Sequence, residues 1–311
     1  MKIINDTPLV YLYIRLSNAY NRKYYERKTK IRHKRIHGKE LDLENPKTFV
    51  EKLQWLKLFY FHADENAVLA GNKIGLHEYL DKKGLSFLKT PIIHVYDSAL
   101  ELCWEELPSK FVLKKSNASG YNVIVSNKES ADIGYIKRQF NIWMNMNFGF
   151  ITGELHYEKM KSQIVVEKYI DDISDNYSFY CARGKAYFVL NRKFTNHVKK
   201  SAIVGRLESI AFFTDIHGEI LSFKRAGSDF NLNVGDTIEL PSDFSNMLEW
   251  SQLLSQDFPF VRVDFCRGDG RLMLEEMTFV PSNALSKYTE RIQIEMGDRI
   301  ILPKSRVLFE Q

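Results

Sequence analysis

The sequence predicts an α+β or α/β protein in which helices and a mixed sheet occupy successive lobes. Helical periodicity dominates the first 82 residues, and short apolar strands bounded by turn residues fill most of the chain from residue 92 onward. A composition of 44% hydrophobic and 13% aromatic residues is typical of a globular protein. A chain of 311 residues can therefore hold two or three subdomains around a sizeable core.

Helices are predicted where apolar residues recur with helical spacing. Thr48 near the start of the first helix, with Glu51 three residues later, predicts a capping box. Gly84 is the expected end signal of the second helix. The predicted helices span 47–60, 72–82, 132–145 and 244–255.

Strands are predicted where short apolar runs lie between turn residues. The run over 111–115 opens a loop of small residues, and the last run doubles back as a hairpin. The predicted strands span 92–96, 111–115, 122–125, 163–169, 177–182, 185–192 and 211–214, followed by the hairpin over 259–279.

Cysteine usage and hydropathy favour a cytoplasmic protein. Cys103, Cys181 and Cys266 lack the spacing of a disulfide framework or a zinc site, which fits a reducing cytosol. No run of 18 apolar residues is present, so no segment is expected to span a membrane. The apolar run over 8–16 is too short and wrongly flanked for a cleaved signal.

The net charge of +5 is concentrated near the N-terminus. Between Arg15 and Lys39, ten lysines and arginines are opposed only by Glu26, and interleaved tyrosines with Ile31 predict a helix with a partly apolar stripe. This helix is either a solvated face or a docking site for an anionic membrane surface or an anionic polymer. Nucleic acid is a poorer candidate because no known reading motif accompanies the charge.

Paired carboxylates mark the predicted hairpin. Arg262 and Asp264 share one face of a strand whose other face is apolar, and the return strand offers Glu275 and Glu276. Facing carboxylates repel unless a cation lies between them, usually a hard divalent ion. A three-residue loop over 268–270 places Glu276 beside Asp264, whereas a two-residue turn selects Glu275. The alternative is a sheet with a solvated acidic rim.

Two earlier stretches suggest nucleotide binding. After the strand that carries Lys114, the loop Ser-Asn-Ala-Ser-Gly over 116–120 would let backbone N–H groups approach phosphates while the ammonium neutralises charge. The segment over 163–172 places Glu167 at the end of a buried strand, followed by backbone that can hydrogen-bond a planar base. Alternatively, the lysine is solvated and the strand simply runs into an acidic turn.

Along the chain the order is the lysine at 114, the base-reading strand at 163–169 and then the paired carboxylates at 264 and 276. This order resembles that of ATP-grasp ligases, and in particular of the TupA-like ATP-grasp family, named for teichuronopeptide synthesis in cell-surface polymers. The resemblance covers about 45–303. The segments F-T-N-H and F-P-F-V-R-V-D-F are its more specific supports, whereas the lysine loop is not specific. The supporting segments are N-P-K-T-F-V-E-K-L-Q-W-L-K-L (45–58), F-V-L-K (111–114), V-E-K-Y-I-D-D (166–172), R-K-F-T-N-H (192–197), D-F-P-F-V-R-V-D-F (257–265) and E-M-T-F-V-P (276–281).

The resemblance implies an α+β ATP-grasp fold, two lobes gripping ATP, behind a basic helical N-terminal extension. It divides the chain into that extension (1–44), an N-terminal subdomain (45–107), a central lid (108–170) with the phosphate lysine and adenine strand, and a C-terminal subdomain (171–311) with the metal carboxylates.

The resemblance also implies a role for each matching residue. The catalytic residues would be Arg262, Lys114 and His197, of which Arg262 steadies the transferred phosphoryl group and His197 binds an anionic acceptor or moves a proton. The ATP site would comprise Lys73, Lys114, Ser119, Gly120, Glu167, Lys168, Ile170, Asp171 and Asp172, with the aspartates near the ribose hydroxyls. The magnesium ligands would be Asp264, Glu276 and, as a weak ligand or none, Thr278.

Several residues depart from the pattern of the family. Asn117 replaces a His and Ala118 a Gly in the phosphate loop. If that position needs a positive φ, either Ala118 is strained or the loop is reshaped. Asn72 and Ser178 replace an Asp and a Lys. A later Pro-Gly-Ser-Gly loop becomes Pro-Ser-Asn-Ala over 281–284.

The implied function is ATP-dependent ligation of a carboxylate to an amine through an acyl phosphate, with an amino acid or peptide joined to a uronic acid of a surface polysaccharide. The expected location is the cytoplasm, with docking at the inner face of the membrane as an option. Two alternatives remain. One is a degenerate nucleotide-binding or scaffold protein of polysaccharide assembly. The other is a glycosyltransferase, which is less favoured because no Asp-x-Asp motif occurs.

Overall fold

The computed structural model describes residues 7–199, 206–222 and 234–310, and gives the backbone alone for 194–199 and 206–210. Within these ranges the chain forms eight α-helices and ten strands. The helices are α1 (Pro8–His37), α2 (Phe49–Phe59), α3 (Glu65–Gly71), α4 (Gly75–Lys82), α5 (Ile133–Met144), α6 (Phe148–Thr152), α7 (Phe244–Ser255) and α8 (Glu290–Arg299). The strands are β1 (Ile92–Tyr96), β2 (Phe111–Lys115), β3 (Asn122–Val125), β4 (Ile164–Lys168), β5 (Asp175–Ala182), β6 (Lys185–Lys199), β7 (Arg206–Asp215), β8 (Ile220–Leu221), β9 (Val261–Gly268) and β10 (Arg271–Thr278).

The long helix α1 lies across the surface and packs against α6. Pro8 occupies its first turn, where a missing N–H costs nothing, and Gly38 ends it with a φ of 73°. Tyr24 interrupts the helical geometry with a φ of −122°. No described helix combines the length and apolarity needed to cross a bilayer.

Helix α2 runs through the main core, and nine of its eleven side chains are buried. Its predicted capping box is confirmed, because the Thr48 hydroxyl accepts from the Glu51 N–H at 3.3 Å and the Glu51 carboxylate accepts from the Thr48 N–H at 3.0 Å. Two polar side chains of this helix, Gln54 and Lys57, are also buried and reach the loop after β10.

A four-stranded antiparallel sheet, the first sheet, has the order β1-β4-β2-β3. Helix α5 covers one face and buries Phe140 and Trp143 against Phe111, Leu113 and Val166. Lys114 and Glu167 lie on neighbouring strands, with Lys114 opposite Val165 and Glu167 opposite Val112. Because side chains alternate along strands, Lys114 and Glu167 share a face of this sheet.

A six-stranded antiparallel sheet, the second sheet, has the order β10-β9-β5-β6-β7-β8. Its central strands β5 and β9 are almost wholly buried, and α7 packs against β5, β6 and β9. Phe179, Val263 and Phe265 contribute fully buried side chains to the core that also holds α2. The strongly buried strands hold β10 and its carboxylates in a fixed register.

The hairpin of β9 and β10 combines features of both predicted registers. Arg271 pairs with Gly268, so the turn has two residues, Asp269 and Gly270, and its parity alone would place Glu275 opposite Asp264. A bulge between Leu274 and Glu276 shifts the register by one residue and places Glu276 opposite Asp264. The predicted three-residue loop is therefore wrong, whereas the predicted pairing of Glu276 with Asp264 is confirmed.

Most predicted elements are present within one or two residues of their expected ends. The helix predicted over 72–82 begins only at Gly75, because the Asn72 side chain accepts from the N–H groups of Ile74 and Gly75 and caps the helix. Helices α3, α6 and α8 were not predicted. The α+β class is confirmed, and the subdomain limits at 44, 107 and 170 stay predictions.

Candidate functional site

A cleft of about 790 Å³ lies between the two sheets and is bounded by residues from both. It is lined by five of the predicted site residues, namely Lys73, Ser119, Arg262, Glu276 and Thr278. Residues that were not predicted as site residues also line it: Glu154, Tyr157, Arg192, Glu275, Ser282 and Asn283. Basic groups, carboxylates and hydroxyls therefore all line this cleft.

The Arg262 guanidinium connects the predicted metal ligands. Its Nε donates to both carboxylate oxygens of Asp264 at 2.7 and 3.0 Å, and its Nη2 donates to Asp264 at 2.5 Å and to Glu276 at 3.1 Å. The hydroxyl oxygen of Thr278 accepts from Nη2 at 3.0 Å and lies 2.9 Å from Glu276. The cation found between the facing carboxylates is thus a guanidinium. Asp264 is only 2% exposed, so the alternative of a solvated acidic rim does not hold for it, whereas the Glu276 side chain is 42% exposed and Glu275 is exposed.

Burial and charge act in opposite directions on these carboxylates. Burial raises the pKa of Asp264 to about 6, although the Arg262 charge opposes the rise. Burial also raises the pKa of Glu276, but the charges of Arg262 and Lys73 outweigh it and leave that pKa below its ordinary value. Ser178, the residue found where the family has a Lys, lies opposite Asp264 on the neighbouring strand and is 2% exposed. Its hydroxyl donates to the Asn176 side-chain oxygen at 3.1 Å.

The donor set suits magnesium. Two carboxylates and a hydroxyl supply hard oxygen ligands, and Mg²⁺ commonly uses one or two carboxylates together with phosphate oxygens and water. No group of three His, Cys, Asp or Glu residues that could hold a metal occurs in the described part of the chain, so an all-protein cage is not available there. A metal shared with phosphate oxygens fits these residues once the guanidinium turns away.

Glu275 also faces the cleft, and this was not predicted. The bulge before Glu276 leaves Glu275 without a cross-strand partner, and Asn176 donates to its carboxylate at 2.8 Å. The charges of Lys114 and Arg192 act on this carboxylate. Strict alternation assigns only one of two adjacent glutamates to a face, whereas a bulge can turn both toward the same space.

Lys114 is held in an ion pair with Glu167. Their Nζ and Oε2 atoms are 2.6 Å apart, and the side chains are 17% and 11% exposed. Burial would lower the pKa of Lys114, but the carboxylates of Glu167 and Glu275 outweigh it and raise that pKa well above its ordinary value. Lys114 is therefore a permanent cation that lies close to the carboxylates of the second sheet.

Lys73 connects the start of α4 to the loop after β2. Its ammonium donates to the Ala118 carbonyl oxygen at 2.9 Å, and its N–H donates to the Ser116 carbonyl oxygen at 3.3 Å. Burial lowers its pKa, while the Glu276 carboxylate acts in the opposite direction. Lys73 thus lies between the predicted phosphate loop and a predicted metal ligand.

The loop after β2 is held without backbone strain at Ala118. Ala118 does not have a positive φ, whereas Gly120 does, at 76°. Asn117 donates to the Tyr157 carbonyl oxygen at 3.1 Å. The neighbouring Lys115 has a structural role, because it is 1% exposed and donates to two backbone carbonyl oxygens at 2.7 and 2.8 Å.

The predicted adenine segment joins the first sheet to the turn of the last hairpin. Lys168 forms an ion pair with Asp269 at 2.9 Å, and the Asp171 N–H donates to the same carboxylate at 3.3 Å. In the described part of the chain, no backbone carbonyl accepts from the Ile170 N–H. Asp171 pairs with Lys110 at the surface. None of Lys114, Gly120, Glu167, Lys168, Ile170, Asp171, Asp172 and Asp264 is among the described residues that line the cleft.

The loop after β10 has a left-handed backbone. Ser282, Asn283 and Ala284 have φ values of 52°, 55° and 50°, although none of them is glycine. Lys57 donates to the Asn283 side-chain oxygen at 2.8 Å, and Gln54 donates to the Ala284 carbonyl oxygen at 3.1 Å. Contacts from the buried helix α2 therefore hold this wall of the cleft in a costly conformation.

Lys57, which contacts that loop, and Glu154, which lines the cleft, are both buried and act electrostatically on each other. Burial raises the pKa of Glu154 to about 7, while the charge of Lys57 opposes the rise. Burial also lowers the pKa of Lys57 to about 7. Neither residue was predicted, since a glutamate after a glycine and a lysine on a helix give no sign of burial. The side chain of His197, a predicted catalytic residue, lies outside the described residues.

Comparison with known proteins gives a family and several distant structural relatives. The sequence profile of the TupA-like ATP-grasp family matches residues 51–301. No curated protein sequence matches the chain.

Three solved structures illustrate the structural likeness. One is D-alanine–D-alanine ligase from Bacillus anthracis complexed with ATP, with a TM-score of 0.44 and 16% identity over 76% of this chain and 67% of that one. The same ligase from Helicobacter pylori has a TM-score of 0.38 and 17% identity over 76% and 62%. L-amino acid ligase from Bacillus licheniformis has a TM-score of 0.43 and 15% identity over 71% and 45%. Likeness at this level says nothing about substrates.

Proposed function

Because the chain belongs to the TupA-like ATP-grasp family, we propose that it is an ATP-dependent carboxylate–amine ligase that works through an acyl phosphate. The observation that carries this proposal is the cluster of Arg262, Asp264, Glu276 and Thr278. Arg262, Glu276 and Thr278 line the cleft together with Lys73, and Asp264 is hydrogen-bonded to Arg262 and Thr278. The Glu275 and Glu276 carboxylates of the cleft also act on Lys114. Lysines beside a pair of oxygen ligands match the needs of a nucleotide triphosphate.

In this proposal ATP binds between the sheets. Lys73, Lys114, Ser119 and Gly120 would contact the phosphates, and Glu167 would accept from the adenine amino group. The backbone of Lys168 and Ile170 would hydrogen-bond the edge of the base. The Ile170 N–H donates to no backbone carbonyl in the described part of the chain. The ribose hydroxyls would reach Asp171 and Asp172.

Asp264, Glu276 and Thr278 would hold magnesium, which neutralises phosphate charge when bound. Arg262 would then turn its guanidinium from the carboxylates to the transferred phosphoryl group, whose oxygens it can bind through two N–H groups. A substrate carboxylate oxygen attacks the γ-phosphorus, the bond to ADP breaks, and an acyl phosphate forms. The substrate amine attacks the carbonyl carbon, and phosphate leaves with the electron pair of the broken C–O bond.

The substrates we propose are a uronic acid of a surface polysaccharide and an amino acid or peptide, as the family resemblance implies. Arg192 and Glu154 line the same cleft and carry charges suited to a carboxylate and to an ammonium group. His197 would bind an anionic acceptor or move a proton. We place the protein in the cytoplasm, with residues 15–39 available to an anionic surface or polymer.

A second candidate is a protein that binds nucleotide without turnover. It is favoured by the Arg262 bridge across the metal ligands and by the non-glycine loop over 282–284. The two candidates differ in whether a carboxylate-dependent release of ADP occurs.

The test uses the full chain with ATP, magnesium, glucuronic or galacturonic acid and amino acids, with ADP release as the readout. Hydroxylamine traps any acyl phosphate as a hydroxamate. Asp264→Asn and Glu276→Gln should each lower turnover by about 100-fold or more, because charge stabilisation of the transferred group is lost. The matched control is Asp81→Asn on α4, which breaks the surface ion pair between Asp81 and Lys89. Undiminished turnover in both variants refutes the metal assignment, and ATP binding without hydroxamate supports the second candidate.

A further inference from the structure

The N-terminal half of α1 exposes five large apolar side chains on one face. Leu9, Leu12, Tyr13, Leu16 and Tyr20 are 76%, 54%, 71%, 62% and 58% exposed. Their spacing of three, one, three and four residues keeps all five within about 100° of the helix circumference. We call this set the apolar stripe.

The opposite face of α1 packs on the protein. Ile14, Asn21, Thr29 and His33 are its buried residues, and they recur at the complementary helical positions. Asn18 is fixed by hydrogen bonds to α5 and α6, where its side chain donates to the Asn145 carbonyl oxygen at 2.7 Å and accepts from the Asn147 N–H at 3.1 Å. The stripe is therefore held outward by a helix that is anchored on its other side.

Basic side chains continue the exposed face beyond the stripe. Lys23 lies three residues after Tyr20, on the same side of the helix, and is exposed. Beyond the break in helical geometry at Tyr24, Arg27, Lys30 and Lys34 are exposed as well. Glu26 and Glu40 pair with Lys30 and Lys34, whereas Lys23 and Arg27 form no ion pair among the described residues. The face is thus apolar toward the N-terminus and positive toward the C-terminus.

We propose that α1 docks on an anionic phospholipid bilayer, with the apolar stripe among the headgroups and the basic side chains against lipid phosphates. Helices that lie in a membrane interface combine an apolar face with nearby cations, and tyrosine rings favour the headgroup level. A second copy of the chain would bring a like-charged face against this one, which repels. A nucleic acid would use the cations but leave the stripe in water.

Docking would bring the cleft close to the bilayer surface. Helix α1 packs on α6, whose Phe148 and Thr152 line the cleft. Two helices, α1 and α6, therefore lie between the proposed lipid contact and the proposed substrate site. The docking inference does not depend on the ligase activity, because it rests on the exposed face of α1 alone.

Co-sedimentation of the full chain with vesicles tests the proposal. The vesicles contain phosphatidylcholine alone or phosphatidylcholine with phosphatidylglycerol. Wild type should bind the anionic vesicles, and the double variant Leu12→Glu with Leu16→Glu should bind them at least about tenfold more weakly. Lys23→Glu with Arg27→Glu should weaken binding to anionic vesicles without changing the residual binding to neutral ones, and added salt should do the same.

Leu100→Glu with Leu308→Glu is the matched control, because these residues are 85% and 71% exposed and lie outside α1. This control should bind as wild type does, and thermal unfolding should show that all variants stay folded. Failure of wild type to bind anionic vesicles overturns the proposal. The proposal is also overturned if light scattering shows a dimer that the Leu12→Glu and Leu16→Glu double variant dissociates, and if this variant still binds vesicles as wild type does.

Discussion

The loop after β2 and the loop after β10 both border the cleft, and both hold non-glycine residues where the family resemblance implies glycine, yet their backbones differ. Ala118 in the first loop does not have a positive φ, whereas Ser282, Asn283 and Ala284 in the second all do. The first loop rests on hydrogen bonds between its own strand and the neighbouring segment, such as Ser116 with Lys161 at 3.0 Å. The second is held from behind by side chains of α2.

The two loops illustrate two structural outcomes at non-glycine positions. A loop can avoid the left-handed region, or it can adopt that region if buried contacts offset about 1–2 kcal/mol per residue. The second outcome ties the shape of the cleft wall to the stability of the core. The predictions below separate these two outcomes, in order of decreasing effect.

Replacement of Lys57 by methionine should have the largest effect. The ammonium is 1% exposed and donates to Asn283 and to the Thr152 carbonyl oxygen. Without it these partly buried acceptors lose their donor, so we expect a loss of about 1–3 kcal/mol in the free energy of unfolding. Urea unfolding measures this loss, and exposed Lys82→Met on α4 is the control. A loss no larger than that of the control would show that the second loop does not depend on α2.

The pH dependence of stability should also act through the second loop. Burial raises the pKa of Glu154 to about 7 from an ordinary value of 4.5, so the folded state binds this proton more tightly than the unfolded chain does. The resulting stabilisation is complete below about pH 4.5 and is lost as the pH rises toward 7. Glu154→Gln mimics the protonated form and should remove this loss.

Between about pH 4.5 and 6, wild type should therefore lose about 1–2 kcal/mol more than Glu154→Gln does. Measurements stop at about pH 6 because burial lowers the pKa of Lys57 to about 7, so Lys57 loses its own proton above that range. Exposed Glu78→Gln on α4 is the control and should follow wild type. Parallel pH curves for wild type and Glu154→Gln would mean that the proton on Glu154 does not contribute to the stability of the cleft wall.

The sequence predicts the fold well because its elements carry local signals. The capping box of α2 and the apolar alternation in β2, β5 and β9 depend on neighbours in the chain. The short helix α6 escapes prediction because its five residues are fixed by tertiary contacts, such as the Glu158 carboxylate that accepts from the Gly149 N–H at 2.8 Å. Local periodicity carries no record of such contacts.

The site is predictable where motif residues lie on regular strands, as with Arg262, Asp264 and Glu276. The prediction fails at Glu275, because the bulge changes the sheet face on which this residue lies and the alternation of residue types along the strand does not reveal the bulge. It also fails at Lys57 and Glu154, since burial of an isolated charge depends on groups about a hundred residues away in the chain. Of the two outcomes expected at Ala118, a strained residue or a reshaped loop, the structure excludes the strained residue, and left-handed non-glycine residues are found instead over 282–284.

A matched pair of alanines sharpens the comparison of the two loops. Ala118 and Ala284 are 1% and 0% exposed, so a change to glycine removes a buried methyl group from each and frees the unfolded chain equally. Ala284 alone has a positive φ, at 50°, and its change also relieves a left-handed alanine. Ala118→Gly should therefore lower the free energy of unfolding by about 1 kcal/mol more than Ala284→Gly does, as urea midpoints can measure. Equal losses would mean that the contacts from α2 impose the loop path without any backbone cost, and the two loops would then differ only in shape.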